Sequence, residues 1–211
     1  MGFVYKDVHL QEEEMTRYLY SAKEALRASS VVSELHGLQK IVDGEDWKGL
    51  SSKEILLAQL IRKMQERKNP IIVYVEYHST RERIAALLDQ LQVPFSQIIG
   101  GVKREERADI VESPSPGQFH VVLMTRAGIR GINLQKCEST ICFDTPFDVN
   151  NLVQLLGRQS RIGSPYDVNY VVFVTALGTI DEYKRNYIQS SSKLILDVLS
   201  GSAILPVGTV S

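Results

Sequence analysis

Only two cysteines, Cys137 and Cys142, occur in 211 residues, and no histidine pair sits near them at a metal-ligand spacing. Buried reduced thiols are the plain reading, in a reducing compartment. Long apolar runs are also missing. The longest, Ile71 to Val75 and Tyr170 to Val174, are far too short to span a bilayer. The N-terminus, Met-Gly-Phe-Val-Tyr-Lys-Asp, has no signal-peptide shape, and Gly2 heads no lipidation motif because position 6 is Lys. Excess charge of either sign is absent: the net charge is −1 and the pI is near 6.4. This excludes a globally basic nucleic-acid-binding domain, so any contact with phosphates must come from local clusters of Lys and Arg. Nowhere is there a Gly-x-x-x-x-Gly-Lys-Ser/Thr loop to cradle nucleotide phosphates, nor an Asp-Glu-x-His segment to hold a magnesium ion. Internal repeats and low-complexity tracts are lacking too.

What is present is ordinary for a globular α/β chain, 44% apolar and 23% charged. The length allows one domain with a sizeable core and a helical addition. Residues 11–66 read as helices, with Met15, Leu19, Ala22 and Leu26 at helical spacing, then Leu56, Leu57, Leu60, Ile61 and Met64. Ser51-Ser52-Lys53-Glu54 opens the latter helix as a capping box, in which a hydroxyl caps a free amide and a carboxylate reaches back. Ser79-Thr80-Arg81-Glu82 reads as another box, and Thr179-Ile180-Asp181-Glu182 caps a closing helix. From residue 70 onward, short apolar runs (Ile71–Val75, Gln97–Ile99, His120–Met124, Thr140–Phe143, Asn169–Thr175) alternate with amphipathic stretches. That alternation predicts parallel βαβ units, and continuous apolar runs fit strands buried on both faces. In such sheets ligands gather at the carboxyl ends of the strands, so the loops after residues 75, 99, 124 and 143 are the ones to inspect.

Two of these loops carry chemistry. In Thr125-Arg126-Ala127-Gly128-Ile129-Arg130-Gly131-Ile132-Asn133-Leu134, two glycines relax the backbone beside a threonine and two arginines that can bind phosphate oxygens. The alternative is a glycine-containing turn with solvated arginines. In the segment from Asn150 to Gly163, a helix capped by Asp148 or Asn150 places Gln154, Arg158 and Arg161 at i, i+4 and i+7, on one face. Leu152, Leu155, Leu156 and Ile162 point elsewhere. Such a face at the carboxyl edge suits an anion, while the alternative is a solvated basic surface.

Taken in order, these parts resemble the second RecA-like lobe of superfamily-two helicases. Gln154-x-x-x-Arg158-x-x-Arg161-Ile162-Gly163 looks like motif six, and Thr125 to Leu134 looks like motif five. Ile71 to Glu76 looks like motif four. Gly100-Gly101, followed by Lys103, Arg104 and Arg107, looks like the element after it. The segment Gly178-Thr179-Ile180-Asp181-Glu182 and the upstream helices resemble the Swi/Snf-type DNA translocase branch, over residues 3–195. Departures from that pattern are Ile129 in place of a second glycine, Gly157 in place of aspartate, Ser164 in place of glutamine and Phe147 in place of tryptophan.

The resemblance implies a RecA-like parallel sheet with helices on both faces, preceded by a helical segment. Residues 1–66 are then a strand and helices packed on the lobe, and 67–211 the lobe itself. It implies ATP and Mg²⁺ held mainly by a separate P-loop lobe absent from this sequence, so the chain reads as a fragment or as one half of a pair. Arg158 and Arg161 then stabilise charge on the transferring phosphoryl group, Gln154 couples the lobes, and Gly131 and Asn133 lie near the nucleotide. Gly100, Gly101, Lys103, Arg104, Arg107, Thr125 and Arg126 face a DNA backbone that is bound weakly and without sequence preference. The expected setting is cytoplasmic for a bacterial or phage protein and nuclear for a eukaryotic one, without secretion or a membrane. Two other readings remain: a RecA-like module that binds without hydrolysis, and a lobe of a restriction or RNA helicase.

Overall fold

The computed structural model describes residues 2–25, 31–100, 109–110, 114–129, 132–146, 148–159 and 164–199. Six runs rich in Val, Ile and Tyr form its strands: β1 (Gly2–Val8), β2 (Ile71–Val75), β3 (Phe95–Ile98), β4 (Val121–Thr125), β5 (Ser139–Cys142) and β6 (Tyr170–Ala176). They make one sheet in the order β1-β6-β5-β2-β4-β3, and every pairing in it is parallel. The described helices are α1 (Glu12–Ala25), α2 (Val31–Val42), α3 (Ser52–Gln65), α4 (His78–Gln90), α5 (Val149–Gln159) and α6 (Ile180–Leu199). Among them, none is long and apolar enough to cross a membrane.

Each central strand is apolar throughout, yet its side chains still alternate. In β2, Ile72 and Tyr74 join a core with Leu152, Leu155 and Leu156 of α5 and Ile188 of α6. Ile71, Val73 and Val75 join the opposite core, with Leu57, Leu60 and Ile61 of α3 and Ile84, Leu87 and Leu88 of α4. The expected sheet with helices on both faces is therefore what the chain builds. A fully buried aliphatic side chain contributes on the order of 1.5–3 kcal/mol, so these two layers dominate stability.

Residues 1–66 enter this architecture at three places. β1 pairs along its whole length with β6 and forms one edge of the sheet. α3 belongs to the second core layer. α1 and α2 make a third cluster, in which Leu10, Tyr18, Leu38 and Val42 close over Ala176 and Ile180. The Tyr18 hydroxyl accepts the amide of Ile180 at 2.8 Å, tying α1 to the start of α6. On α1 the expected stripe is only partly apolar-inward, because Leu19 is 56% exposed.

The capping box at Ser51 is complete: Glu54 N–H donates to the Ser51 hydroxyl and Ser51 N–H to the Glu54 carboxylate. The box expected at Ser79 does not form. α4 starts earlier, at His78, behind Tyr77, which provides no side-chain cap. At α6, Thr179 Oγ1 accepts the amide of Asp181 and Glu182 accepts the amide of Gly178. Both cysteines are buried and free. Burial pushes both thiols up, Cys137 to about 12, so neither is a ready nucleophile.

Candidate functional site

At the carboxyl edge of the sheet, the ends of β2, β3 and β4 and the first turns of α5 enclose a groove of about 700 Å³. It is lined by Gly100 after β3, Thr125 and Arg126 after β4, and Gln154 on α5, four candidates drawn from three separate stretches of sequence. Glu76, His78, Arg81 and Asn151 line it as well.

Local chemistry explains how these groups arrive. Gly128 ends the 3-10 turn Arg126–Gly128 that follows β4. A Cβ there would meet the Ile98 carbonyl oxygen at 2.6 Å, so glycine is required for the turn to press against β3. Ile129, which stands in place of a second glycine, is buried in the core layer beneath. The rotation of α5 is fixed at both ends. Asp148 Oδ1 accepts the amide of Asn150 at its start. At its finish the buried Gln159 accepts the Thr140 hydroxyl and donates to the Cys137 carbonyl. With Leu152, Leu155, Leu156 and Gln159 inward, Gln154 is exposed and Arg158 half-buried on the outward side.

Arg158 and Asn133 are not among the groove's lining residues. They are neighbours of each other instead, because Leu134 N–H donates to the Arg158 carbonyl at 3.1 Å. Gln154 lines the groove one helical turn before Arg158. Gly101, Lys103, Arg104, Arg107, Gly131 and Arg161 lie outside the described residues.

Beside the groove is a buried charge cluster to which the motifs assigned no role. Lys53 is fully buried, with Nζ 2.6 Å from Asp43, 2.8 Å from Asp181 and 3.9 Å from Asp144. It also sits 4.5 Å over the Phe143 ring. Burial alone would lower its pKa, but Asp181, Asp43 and Asp144 together outweigh burial and hold the ammonium above the ordinary lysine range. Lys184 reaches the same cluster and donates to Gln39 at 2.5 Å. Burial lowers its pKa. Asp144 Oδ2 accepts the amide of Glu76 at 2.7 Å, so the cluster fixes the backbone at the groove wall. The clue in the sequence was position: Lys53 falls at i−4 from Leu57 and i−7 from Leu60, on the buried stripe of α3.

Asp144 Oδ1 and Asp43 Oδ2 are buried without a donor from other groups, and the two carboxyls neighbour each other. Burial, then the charge of Asp43, raises the Asp144 carboxyl well above the usual carboxylate range. The folded chain therefore binds a proton that the unfolded chain releases at about pH 3.9. The resulting stabilisation is full below that pH and is lost as pH rises through the folded value. Asp144→Asn copies the protonated form. The melting temperature of wild type is expected to fall with rising pH more steeply than that of Asp144→Asn; parallel slopes would contradict this.

The class follows from these parts: a parallel RecA-like sheet whose motif-bearing loops lie at its carboxyl edge is the architecture of a C-terminal helicase lobe. The comparison with known families agrees. Residues 52–163 match the helicase conserved C-terminal domain, and the chain belongs to that family. Chromodomain-helicase-DNA-binding protein 1 of Homo sapiens is 29% identical over 169 residues, covering 75% of this chain and 10% of the relative. The uncharacterized ATP-dependent helicase YqhH of Bacillus subtilis is 31% identical over 133 residues, covering 63% of this chain and 23% of the relative. The chain thus spans about a tenth to a quarter of the length of these relatives. Among solved structures, the C-terminal part of the Fun30 ATPase domain superposes with a TM-score of 0.71 at 13% identity, covering 95% of this chain and 96% of that one. The Sulfolobus solfataricus SWI2/SNF2 ATPase core in complex with dsDNA gives 0.72 at 20% identity, covering 95% of this chain and 47% of that one.

Proposed function

We propose that this chain is the second motor lobe of an ATP-dependent DNA translocase, working against a P-loop lobe that holds ATP and Mg²⁺. The observation that carries the proposal is the convergence of Gly100, Thr125, Arg126 and Gln154 on one carboxyl-edge groove, in a chain of the helicase C-terminal family. Exposed Gly100 allows close approach of a strand, and Thr125 and Arg126 offer a hydroxyl and a guanidinium to backbone phosphates. The motif resemblance gives Gly101, Lys103, Arg104 and Arg107, next in sequence, the same strand-binding role. By the same resemblance, Arg158 and Arg161 supply guanidinium groups to the phosphoryl group in flight, and Gly131 and Asn133 take a nucleotide-binding role. Gln154, lining the groove one helical turn before Arg158, couples strand contact to hydrolysis. The chain works where DNA is, in the cytoplasm of a bacterium or the nucleus of a eukaryote.

With a net charge of −1, no overall positive field adds to the local contacts of this edge. The chain alone is therefore expected to bind duplex DNA weakly, with a dissociation constant no tighter than about 10⁻⁵ M and a shallow salt slope. Fluorescence anisotropy with duplexes of unrelated sequence checks this. Arg126→Ala should weaken binding to every duplex alike. Tight binding that survives high salt, or a clear base preference, would contradict the reading. So would charge reversal at Arg104 and Arg126 without effect.

A further inference from the structure

The groove contains a carboxylate where a phosphate track would be expected to exclude one. Glu76 lines it from the end of β2. Its amide is fixed by Asp144 Oδ2 at 2.7 Å, and its Oε2 accepts the Tyr74 hydroxyl at 2.5 Å. Held at backbone and side chain, Glu76 turns its other oxygen, Oε1, toward Arg126 Nη1 at 3.8 Å. The Glu76 side chain is 19% exposed and that of Arg126 is 58% exposed. The acid is thus the anchored partner and the guanidinium the free one. The other arginine of the groove is committed elsewhere, since Arg81 Nη1 donates to Gln97 Oε1 at 2.5 Å.

We infer that Glu76 is an electrostatic latch, an internal anion that holds Arg126 until a backbone phosphate displaces it. The inference rests on the reading of the groove as a DNA-backbone track. An exposed ion pair without a close hydrogen bond shifts an equilibrium by no more than about fivefold, so the latch is weak enough to exchange. The carboxylate also repels the incoming phosphate, which keeps affinity low and speeds release. A lobe that must let go of the strand once per cycle needs both properties.

The test is a double-mutant cycle on the full chain, read by anisotropy with a labelled duplex at low salt. Glu76→Gln keeps an acceptor for the Tyr74 hydroxyl but removes the charge. It is expected to tighten DNA binding by about three- to tenfold in wild type and by less than about twofold beside Arg126→Ala. An equal gain in both backgrounds would overturn the latch, leaving Glu76 as general repulsion, and so would no gain in either. If neither wild type nor Glu76→Gln binds duplex, the DNA reading of the groove falls, and the latch with it. If Arg126→Ala abolishes binding while Glu76→Gln changes nothing, the latch alone falls. A parallel titration with inorganic phosphate separates a strand track from a free-anion site: binding of the free ion that depends on Glu76, without duplex binding, overturns the proposal as stated. Thermal melts of each variant confirm that the comparison is between folded proteins.

Discussion

Replacing Lys53 with methionine is expected to lower the melting temperature of this chain by roughly 6–20 °C. Methionine matches the length of lysine and fills its space, so a cavity does not explain the loss. What is removed is the positive charge 2.6 Å from Asp43 and 2.8 Å from Asp181, at a site with no solvent exposure. Breaking a buried pair by deleting one partner costs about 3–5 kcal/mol, because the remaining charge has nothing to compensate it. For a chain of this size each kcal/mol shifts the midpoint by roughly 2–4 °C. Adding Asp43→Asn should restore part of the loss, since it removes one of the stranded carboxylates. Differential scanning calorimetry of the single and double variants decides the matter, and a shift under about 2 °C for Lys53→Met would mean that the cluster contributes little. The consequence reaches the groove, because Asp144, one member of the cluster, holds the amide of Glu76.

Much of the fold is written locally. A run such as Ile71 to Val75 has no polar side for solvent, is short and is rich in β-branched residues, which favours a central strand, and β2 occupies those residues. The runs at 120–124 and 169–175 are displaced by one residue, to Val121–Thr125 and Tyr170–Ala176, as edges defined by hydrogen bonds usually are. The partner of β1 was not legible, because its pairing with β6 joins residues more than 160 positions apart and leaves no local trace. Ser79 carries a capping signal, yet α4 begins at His78, one residue earlier. At the candidate site, the glycine and arginine motifs announced Gly100, Thr125, Arg126 and Gln154, since flexible backbone and phosphate-binding side chains stand out by type. Glu76 and Lys53 fell inside family-like segments, but nothing local gave their charges a role. A carboxylate in a basic groove and a lysine on an apolar helix face both run against residue type, and only three-dimensional neighbours give them meaning.

In a protein that joins this lobe to a P-loop lobe, Arg161→Ala is expected to reduce DNA-stimulated turnover by about 10³–10⁵, the usual effect of removing an arginine finger. Arg161 lies outside the described residues, and the expectation comes from the motif it shares with Gln154 and Arg158. A guanidinium makes two parallel hydrogen bonds to phosphate oxygens, which an ammonium cannot, so Arg161→Lys should fail nearly as badly. The competing account gives Arg161 a bracing role against a carboxylate such as Asp181. Both oxygens of Asp181 already have other donors, with Gln39 on one and Lys53 and the Ala176 amide on the other. Bracing would show as a fall of several degrees in the melting temperature of this chain. A finger would leave the melt almost unchanged, and affinities for DNA and nucleotide would move far less than turnover.

The most direct test of the motor-lobe account is therefore steady-state phosphate release, with and without duplex DNA, from the two-lobe protein carrying wild-type sequence or Arg161→Ala. The account predicts DNA-stimulated release in wild type, its loss by about three orders of magnitude or more in the variant, and only background release from this chain by itself. Near-normal turnover per folded molecule of Arg161→Ala, or sustained hydrolysis by this chain alone, would contradict it.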